Sequence, residues 1–215
     1  MTLAVLARMR GAGGLAEELG LEAVALSRRI GDQQGQAHAL FRLSDTARVR
    51  GDWDTAEKRG QESLALYRSI GDLGGQANTL LQLADTARVR GNLRSAEERG
   101  RKSLALAGQA DDRLAQANVL SFLASTAHAA GDLDLAERRG SDGLALARRA
   151  NDLLAQANAL DALAEIASTR GDTAEAHTLF GKATLYGVAG IASSAELCHA
   201  RQLSLHKDLN RGTTD

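Results

Sequence analysis

Hydrophobic positions recur along this chain at steps of three and four residues, and the whole pattern returns every forty residues. The set Leu40, Leu43 and Ala47 has counterparts in the copies that follow, at Leu80, Leu83, Ala87, Leu120, Leu123, Ala127, Leu160, Leu163 and Ala167. Steps of three and four bring side chains onto one face of an α-helix. The pattern therefore predicts a helix with one apolar face in every copy, named helix A here.

A second apolar set follows in each copy and predicts a second helix, named helix B. Ala56, Gly60 and Leu64 keep the helical spacing, and their counterparts include a recurring glycine at Gly20, Gly60, Gly100 and Gly140. A glycine inside a helix costs about 1 kcal/mol relative to alanine. Its regular return predicts that two helices approach each other closely at this place.

Glycine followed by Asp or Asn separates the predicted helices. Gly51-Asp52 returns as Gly91-Asn92, Gly131-Asp132 and Gly171-Asp172. A glycine just past a helix adopts the left-handed conformation easily, and the residue after it caps the next helix by accepting from free backbone N–H groups. We therefore expect an all-α chain with helix A over about 33–50, helix B over about 53–70, and breaks near Gly11, Gly31, Gly51, Gly71, Gly91, Gly131 and Gly171.

The two ends of the chain depart from the repeat. Leu3 to Arg10 has the pattern of the second half of a helix A, followed by Gly11 and a helix B. Val188 to Leu209 is out of register and mixes apolar with polar residues, which is typical of a capping helix. We expect repeats over 1–186, with units at about 1–30, 31–70, 71–110, 111–150 and 151–186, then a capping helix over 187–209 and a disordered tail over 210–215.

The unit resembles the tetratricopeptide repeat (TPR). Ser44, Gly51-Asp52, Ala56 and Ser63 occupy the places of that family's small residues and turn. The unit is longer than the usual length of about 34 residues, and it is similar to the long repeats of kinesin light chains and of the C-terminal arms of bacterial ATPase-type transcription regulators. The resemblance implies a right-handed superhelix of stacked antiparallel helix pairs, with helix A lining the concave surface.

A polar stripe beside the apolar face of helix A is the candidate binding surface. The first copy of the stripe contains His38, Phe41, Asp45 and Arg48, and asparagine replaces the histidine in later copies. The resemblance implies peptide contacts for these asparagines, although packing or capping would explain them equally well. The charges either pair with one another or serve a zwitterionic or peptide ligand. The predicted ligand-binding residues are His38, Phe41, Asp45, Asn78, Asp85, Arg88, Asn118, Phe122, Asn158 and Glu165.

Binding is a better interpretation of this sequence than catalysis. It contains no phosphate loop, no HExxH motif and no paired-cysteine metal site, so we expect no catalytic residue, metal or cofactor. The leading hypothesis is a regulatory scaffold that binds a peptide or protein partner in the concave groove. The alternative is a small-molecule receptor or biosynthetic enzyme with an acid–base set such as His38, Asp45 and Arg48. Self-association into a homodimer through the terminal repeats is a further alternative.

Charge and hydropathy restrict the partners further. The chain has 26 basic and 27 acidic residues, with no basic run, which argues against direct binding of nucleic acid. No segment approaches the roughly 20 apolar residues of a membrane span, and the N-terminus lacks the pattern of a signal peptide. A single cysteine fits a reducing compartment. We therefore expect a cytoplasmic protein without a membrane segment.

Overall fold

The computed structural model describes residues 3–190 of the chain, with side chains from residue 14 onward. This part of the chain is helical, with short turns and no strand, so the predicted all-α fold is confirmed. The helices are α1 (Leu3–Ile30), α2 (Gln33–Val49), α3 (Trp53–Ser69), α4 (Leu73–Val89), α5 (Leu93–Gln109), α6 (Arg113–Ala129), α7 (Leu133–Arg149), α8 (Leu153–Arg170) and α9, which begins at 173 and continues to 190.

The turns between helices have the predicted chemistry. Gly51 has a φ of 77°, and the N–H of Asp52 donates to the carbonyl of Ala47 at 2.9 Å. The carboxylate of Asp52 accepts from the N–H of Thr55 at 3.1 Å, which caps α3. Equivalent caps start every later described helix. The predicted breaks near 31, 51, 71, 91, 131 and 171 are confirmed.

One predicted break is wrong, and one predicted boundary shows no break. Helix α1 runs without interruption from Leu3 to Ile30, through Gly11. Ala12 follows this glycine where the other turns have Asp or Asn, so no side chain is available to cap a new helix there. At the other end, α9 continues across the predicted boundary between 186 and 187. The remainder of the predicted capping helix and the predicted tail lie outside the described residues.

The stacking of the helices places helix A on the inner side of the superhelix. Consecutive helices pack against each other, and the helix A members α2, α4, α6 and α8 also contact their neighbours in this row. Among the helices from α1 to α8, the backbones of the helix B members α1, α3, α5 and α7 do not approach one another as closely, and only long charged side chains bridge them, from α3 to α5 and from α5 to α7. The helix A row is therefore the tighter, concave side of a right-handed solenoid. None of the described helices is long and apolar enough to cross a membrane.

Close glycine–leucine contacts join each helix B to the next helix A. A Cβ atom added at Gly60 or Gly100 would lie 2.6 Å from the Cδ2 of Leu83 or Leu123, respectively. Gly20 and Gly140 face Leu43 and Leu163 in the same way, at 2.6 and 2.8 Å. The predicted close approach at the recurring glycines is confirmed. These contacts therefore require a residue without a side chain where each helix B packs against the next helix A.

Candidate functional site

The concave side of the solenoid contains a groove with a volume of about 790 Å³. All four helices of the inner row contribute to it, because each presents the stripe beside its buried apolar face. The lining residues are Phe41, Arg42, Asp45, Arg48, Asn78, Leu81, Gln82, Asp85, Arg88, Asn118, Ser121, Phe122, Ser125, Asn158 and Asp161. Most of the stripe predicted from sequence periodicity therefore forms one continuous surface.

Eight of the ten predicted binding residues lie along this groove: Phe41, Asp45, Asn78, Asp85, Arg88, Asn118, Phe122 and Asn158. The other two, His38 and Glu165, are exposed and lie outside the lining. His38 is on α2 and Glu165 on α8, the outermost helices of the inner row. The binding role of all ten residues stays a prediction, but the geometry brings only eight of them together.

Gln82 and Arg42 line the groove and were missed in the sequence. They occupy the place of Phe122 in the two earlier copies, at intervals of forty residues. Because Phe122 was already a candidate, comparison of this place across all the copies would have identified both residues.

Three asparagine side chains form a row across the groove, one on each of α4, α6 and α8. Asn78 and Asn158 are exposed and Asn118 is half-buried. In the described part of the chain, no hydrogen bond engages the side-chain amides of these three residues. Each amide has two donors and one acceptor oxygen. The row therefore offers free hydrogen-bonding groups of both kinds to a ligand.

A chain of ion pairs crosses the first half of the groove. Arg48 donates to Asp45 at 2.8 Å and, across the repeat boundary, to Asp85 at 3.2 Å. Arg88 donates to Asp85 at 2.7 Å. Each of these side chains keeps about a quarter to a third of its surface exposed. The two carboxylates are thus neutralised largely within the protein, as the self-paired interpretation of the stripe expects.

Two polar groups on α4, one of them within this chain of ion pairs, remain incompletely satisfied. The Nε of Arg88 and the Oε1 of Gln82 are buried and have no hydrogen-bond partner. The guanidinium carbon of Arg88 lies 5.6 Å from the centre of the Phe122 ring, which is a cation–π geometry. The charged network therefore ends at Arg88, with an aromatic wall beside it.

The acid–base set proposed as an alternative is not assembled. Asp45 and Arg48 are bonded to each other. The His38 ring lies 6.4 Å from the Phe41 ring, centre to centre, and no hydrogen bond connects His38 to Asp45 in the described residues. Over the same residues, no group of three or more His, Cys, Asp or Glu side chains is placed to hold a metal ion.

Comparison with known proteins identifies a family for nearly the whole chain. The family described as "MalT-like TPR region" matches residues 2–211. A search of curated proteins found no match.

Several solved structures share the fold. BtubC (BKLC) from P. vanneervenii is 16% identical, with a TM-score of 0.68 over 93% of this chain and 92% of that chain. A STAND ATPase with a tetratricopeptide repeat sensor from Pyrococcus horikoshii is 17% identical, with a TM-score of 0.64 over 83% of this chain and 28% of that one. A Rap protein complexed with Competence and Sporulation Factor is 18% identical, with a TM-score of 0.68 over 87% of this chain and 50% of that one. At these identities the likeness concerns the fold.

Proposed function

Because this chain belongs to the family of MalT-like TPR regions, we propose that it is a regulatory binding module that holds an extended peptide segment of a partner in its concave groove. The observation that carries this proposal is the row of Asn78, Asn118 and Asn158, whose amides line the groove without partners in the described structure. An amide that donates and accepts matches the N–H and C=O groups of a peptide backbone, independently of the peptide's side chains.

The spacing of the inner helices supports an extended ligand. Packed helices lie about 8–10 Å apart, and an extended chain advances about 3.3 Å per residue. Neighbouring asparagines would therefore meet backbone groups about three residues apart. The row from Asn78 to Asn158 corresponds to a peptide of roughly six to eight residues.

The regulatory part of the proposal rests on the kinds of proteins that share this fold. One is a STAND protein whose tetratricopeptide repeats are described as a sensor, and another is a Rap protein complexed with Competence and Sporulation Factor. This chain covers 28% and 50% of those two proteins, so their whole activities are not carried over. What is carried over as a proposal is a repeat module that detects a partner.

Affinity selection in solution would test the proposal. The protein is equilibrated with a mixture of random synthetic octapeptides, the complex is separated by size exclusion, and the retained peptides are sequenced by mass spectrometry. A selected peptide is then titrated against variants. The pair Asn78→Ala and Asn118→Ala should weaken binding about tenfold or more, because each lost amide bond is worth about 0.5–1.5 kcal/mol.

Gln109→Ala is the matched control, because it removes an exposed amide from helix B rather than from the groove. It should bind the selected peptide like the wild type. Circular dichroism and thermal melting verify that the asparagine variants keep their fold. If no peptide is retained, or if the asparagine pair binds as tightly as the wild type, the proposed function is wrong.

A further inference from the structure

Internal comparison of the repeats shows what an arginine in this groove normally contacts. Arg48 has two carboxylate partners: Asp45 of its own helix, and Asp85 of the next helix in the inner row, which its Nη1 reaches at 3.2 Å. Arg88 occupies the same place one repeat later, forty residues on. Arg88 has an equivalent of the first partner, because Asp85 lies three residues earlier on the same helix and is bonded to Arg88 at 2.7 Å.

The second partner of Arg88 is missing. The residue forty positions after Asp85 is Ser125, which lines the groove but carries no charge. In the described part of the chain, no hydrogen bond or ion pair joins Arg88 to α6. Arg88 therefore has one carboxylate partner where Arg48 has two, although about a third of each side chain is exposed.

The surroundings of Arg88 are suited to a bound group. Phe122 forms an aromatic wall 5.6 Å from the guanidinium carbon. The Nε of Arg88 is a buried donor without a partner. Gln82, whose surface is only 9% exposed, lines the groove on the same helix, and its Oε1 is an acceptor without a partner, which a peptide N–H and not a carboxylate would satisfy. Unsatisfied buried polar groups cost about 1–3 kcal/mol each, so native structures rarely leave them without a ligand or water.

The distribution of charge along the groove agrees with this asymmetry. The lining on α2 and α4 carries three arginines against two aspartates, Asp45 and Asp85. The lining on α6 and α8 carries no arginine and one acidic residue, Asp161. An excess of one positive charge therefore remains in the half of the groove that ends at Arg88.

We propose that Arg88 binds a carboxylate of the ligand, which takes the place against Arg88 that Asp85 takes against Arg48. This inference rests on the proposed peptide-binding function and names the group that the peptide must carry. The carboxylate is either the C-terminus of the peptide or an Asp or Glu side chain. In that place one guanidinium nitrogen donates to the ligand carboxylate, as the Nη1 of Arg48 donates to Asp85, while another nitrogen of Arg88 keeps its bond to Asp85. The compact ammonium group of a lysine does not reproduce this division of donors.

Two octapeptide mixtures, one with free and one with amidated C-termini, distinguish the two sources. If the C-terminus is the anchor, retained peptides come from the free mixture without an acidic consensus. If a side chain is the anchor, Asp or Glu is enriched at one position in both mixtures. Retained peptides with neither feature would overturn the inference while leaving the proposed function intact.

Ser125→Asp is the decisive variant, because it supplies the missing carboxylate from within the protein. It should weaken binding of a selected peptide about tenfold or more relative to Ser125→Asn, which has nearly the same shape without the charge. Arg88→Gln should weaken binding similarly, and Arg88→Lys should restore only part of it. Arg138→Gln removes one positive charge from an exposed position on α7 and should leave binding unchanged.

The outcomes separate the two proposals. Equal binding by Ser125→Asp and Ser125→Asn would overturn the carboxylate site, even where the asparagine pair still weakens binding. If no peptide is retained at all, both proposals are overturned. The salt dependence of the dissociation constant is an independent readout: it should be weaker for Arg88→Gln than for the wild type, because salt screens the charge-assisted contact that only the wild type makes.

Discussion

Six of the eight turns between described helices use a glycine with positive φ, and two use other residues in the same conformation. Asp111 has a φ of 51° and Asn151 a φ of 54°. The left-handed region costs an L-residue about 1–2 kcal/mol, and Asp and Asn tolerate it better than other residues. These two turns therefore retain a small local strain that the glycine turns lack.

Replacement of these residues by glycine should stabilise the protein. Asp111→Gly and Asn151→Gly should each raise the free energy of unfolding by about 0.5–1 kcal/mol, because relief of the left-handed strain exceeds the added freedom of the unfolded chain. The matched reverse change, Gly91→Asp, should lower it by a similar amount. Urea unfolding followed by circular dichroism measures all three. A loss of stability in both glycine variants would contradict the strain argument.

Glu97 connects two helix B members through Arg139, at 2.5 and 3.0 Å. Burial raises the pKa of Glu97, but hydrogen bonds and attraction from Arg139 and Arg101 lower it by more, so the pKa lies below the ordinary value. Glu57 has the same arrangement with Arg99, and its pKa is also lowered, because hydrogen bonds from Arg99 and Gln61 outweigh the effect of burial.

A depressed carboxylate pKa fixes the sign of the pH dependence. The stabilisation is complete above the unfolded-state pKa of about 4.3 and is lost as the pH falls through the folded-state pKa. At pH 7, Glu97→Gln should therefore be less stable than the wild type by roughly 1–2 kcal/mol. The two proteins should converge as the pH falls below about 4. Urea unfolding from pH 7 to pH 3 tests this, and a constant difference across the range would refute it.

At the scale of helices, the forty-residue period predicted the ends of each helix as well as its apolar face. Gly51-Asp52 and its counterparts carry local chemistry, so helix ends could be predicted to within a residue or two. Gly11 shows the limit of a single marker, since a glycine without a following Asp or Asn remains inside α1. The ion pair from Arg139 to Glu97 could not be predicted, because 42 residues separate the partners and the register between helices decides the contact.

Buried serine hydroxyls form hydrogen bonds between neighbouring helices in two of the copies. Ser63 donates to the carbonyl of Ala37 at 2.8 Å, and Ser103 to that of Ala77 at 2.7 Å. In the next copy Gly143 replaces the serine, and Ser121 of α6 itself donates to the carbonyl of Ala117 at 3.0 Å. The carbonyl at this place is thus satisfied by a hydroxyl in all three copies.

Ser103→Ala should test the value of this bond. Alanine is the better helix former, yet the change should lower the free energy of unfolding by about 1 kcal/mol, because a fully buried hydrogen bond is lost. Ser141→Ala, at an exposed position on α7, should be neutral or slightly stabilising. Thermal unfolding of the two variants measures this difference in sign. Equal effects would show that the hydroxyl of Ser103 contributes nothing.

At the scale of the whole molecule, the groove was predictable as a surface but not as a set of contacts. Periodicity alone predicted that Asn78, Asn118 and Asn158 lie in one row, since equivalent positions on equivalent helices face the same side. Periodicity could not show that His38 and Glu165 lie outside the lining, because that depends on where the inner row ends. The free donors of Arg88 depend on its pairing across the repeat boundary, which the sequence does not specify.

A solenoid in which each repeat contacts only its neighbours should respond differently to the same damage at different places. Gly20 and Gly100 are locally equivalent, since a Cβ at either would lie 2.6 Å from a leucine Cδ2 of the next helix. Gly20 is on α1, the first described helix, whereas Gly100 is in the middle of the stack. The interface at Gly100 couples two halves of the protein, and the interface at Gly20 couples α1 alone to the rest.

Leucine at these two glycines should therefore have unequal effects. Gly100→Leu should lower the free energy of unfolding by about 1–3 kcal/mol through overpacking. It should also split hydrogen exchange into two regions that open separately, divided at the interface between α5 and α6. Gly20→Leu should increase exchange in α1 alone and leave the main melting transition nearly unchanged. Gly108→Leu is the control on α5, because nothing lies within 4 Å of a Cβ at that glycine, and it should stabilise the helix slightly. If Gly20→Leu and Gly100→Leu shift the main transition equally, the whole stack unfolds as one unit, and coupling between neighbouring repeats is stronger than the contacts between their helices indicate.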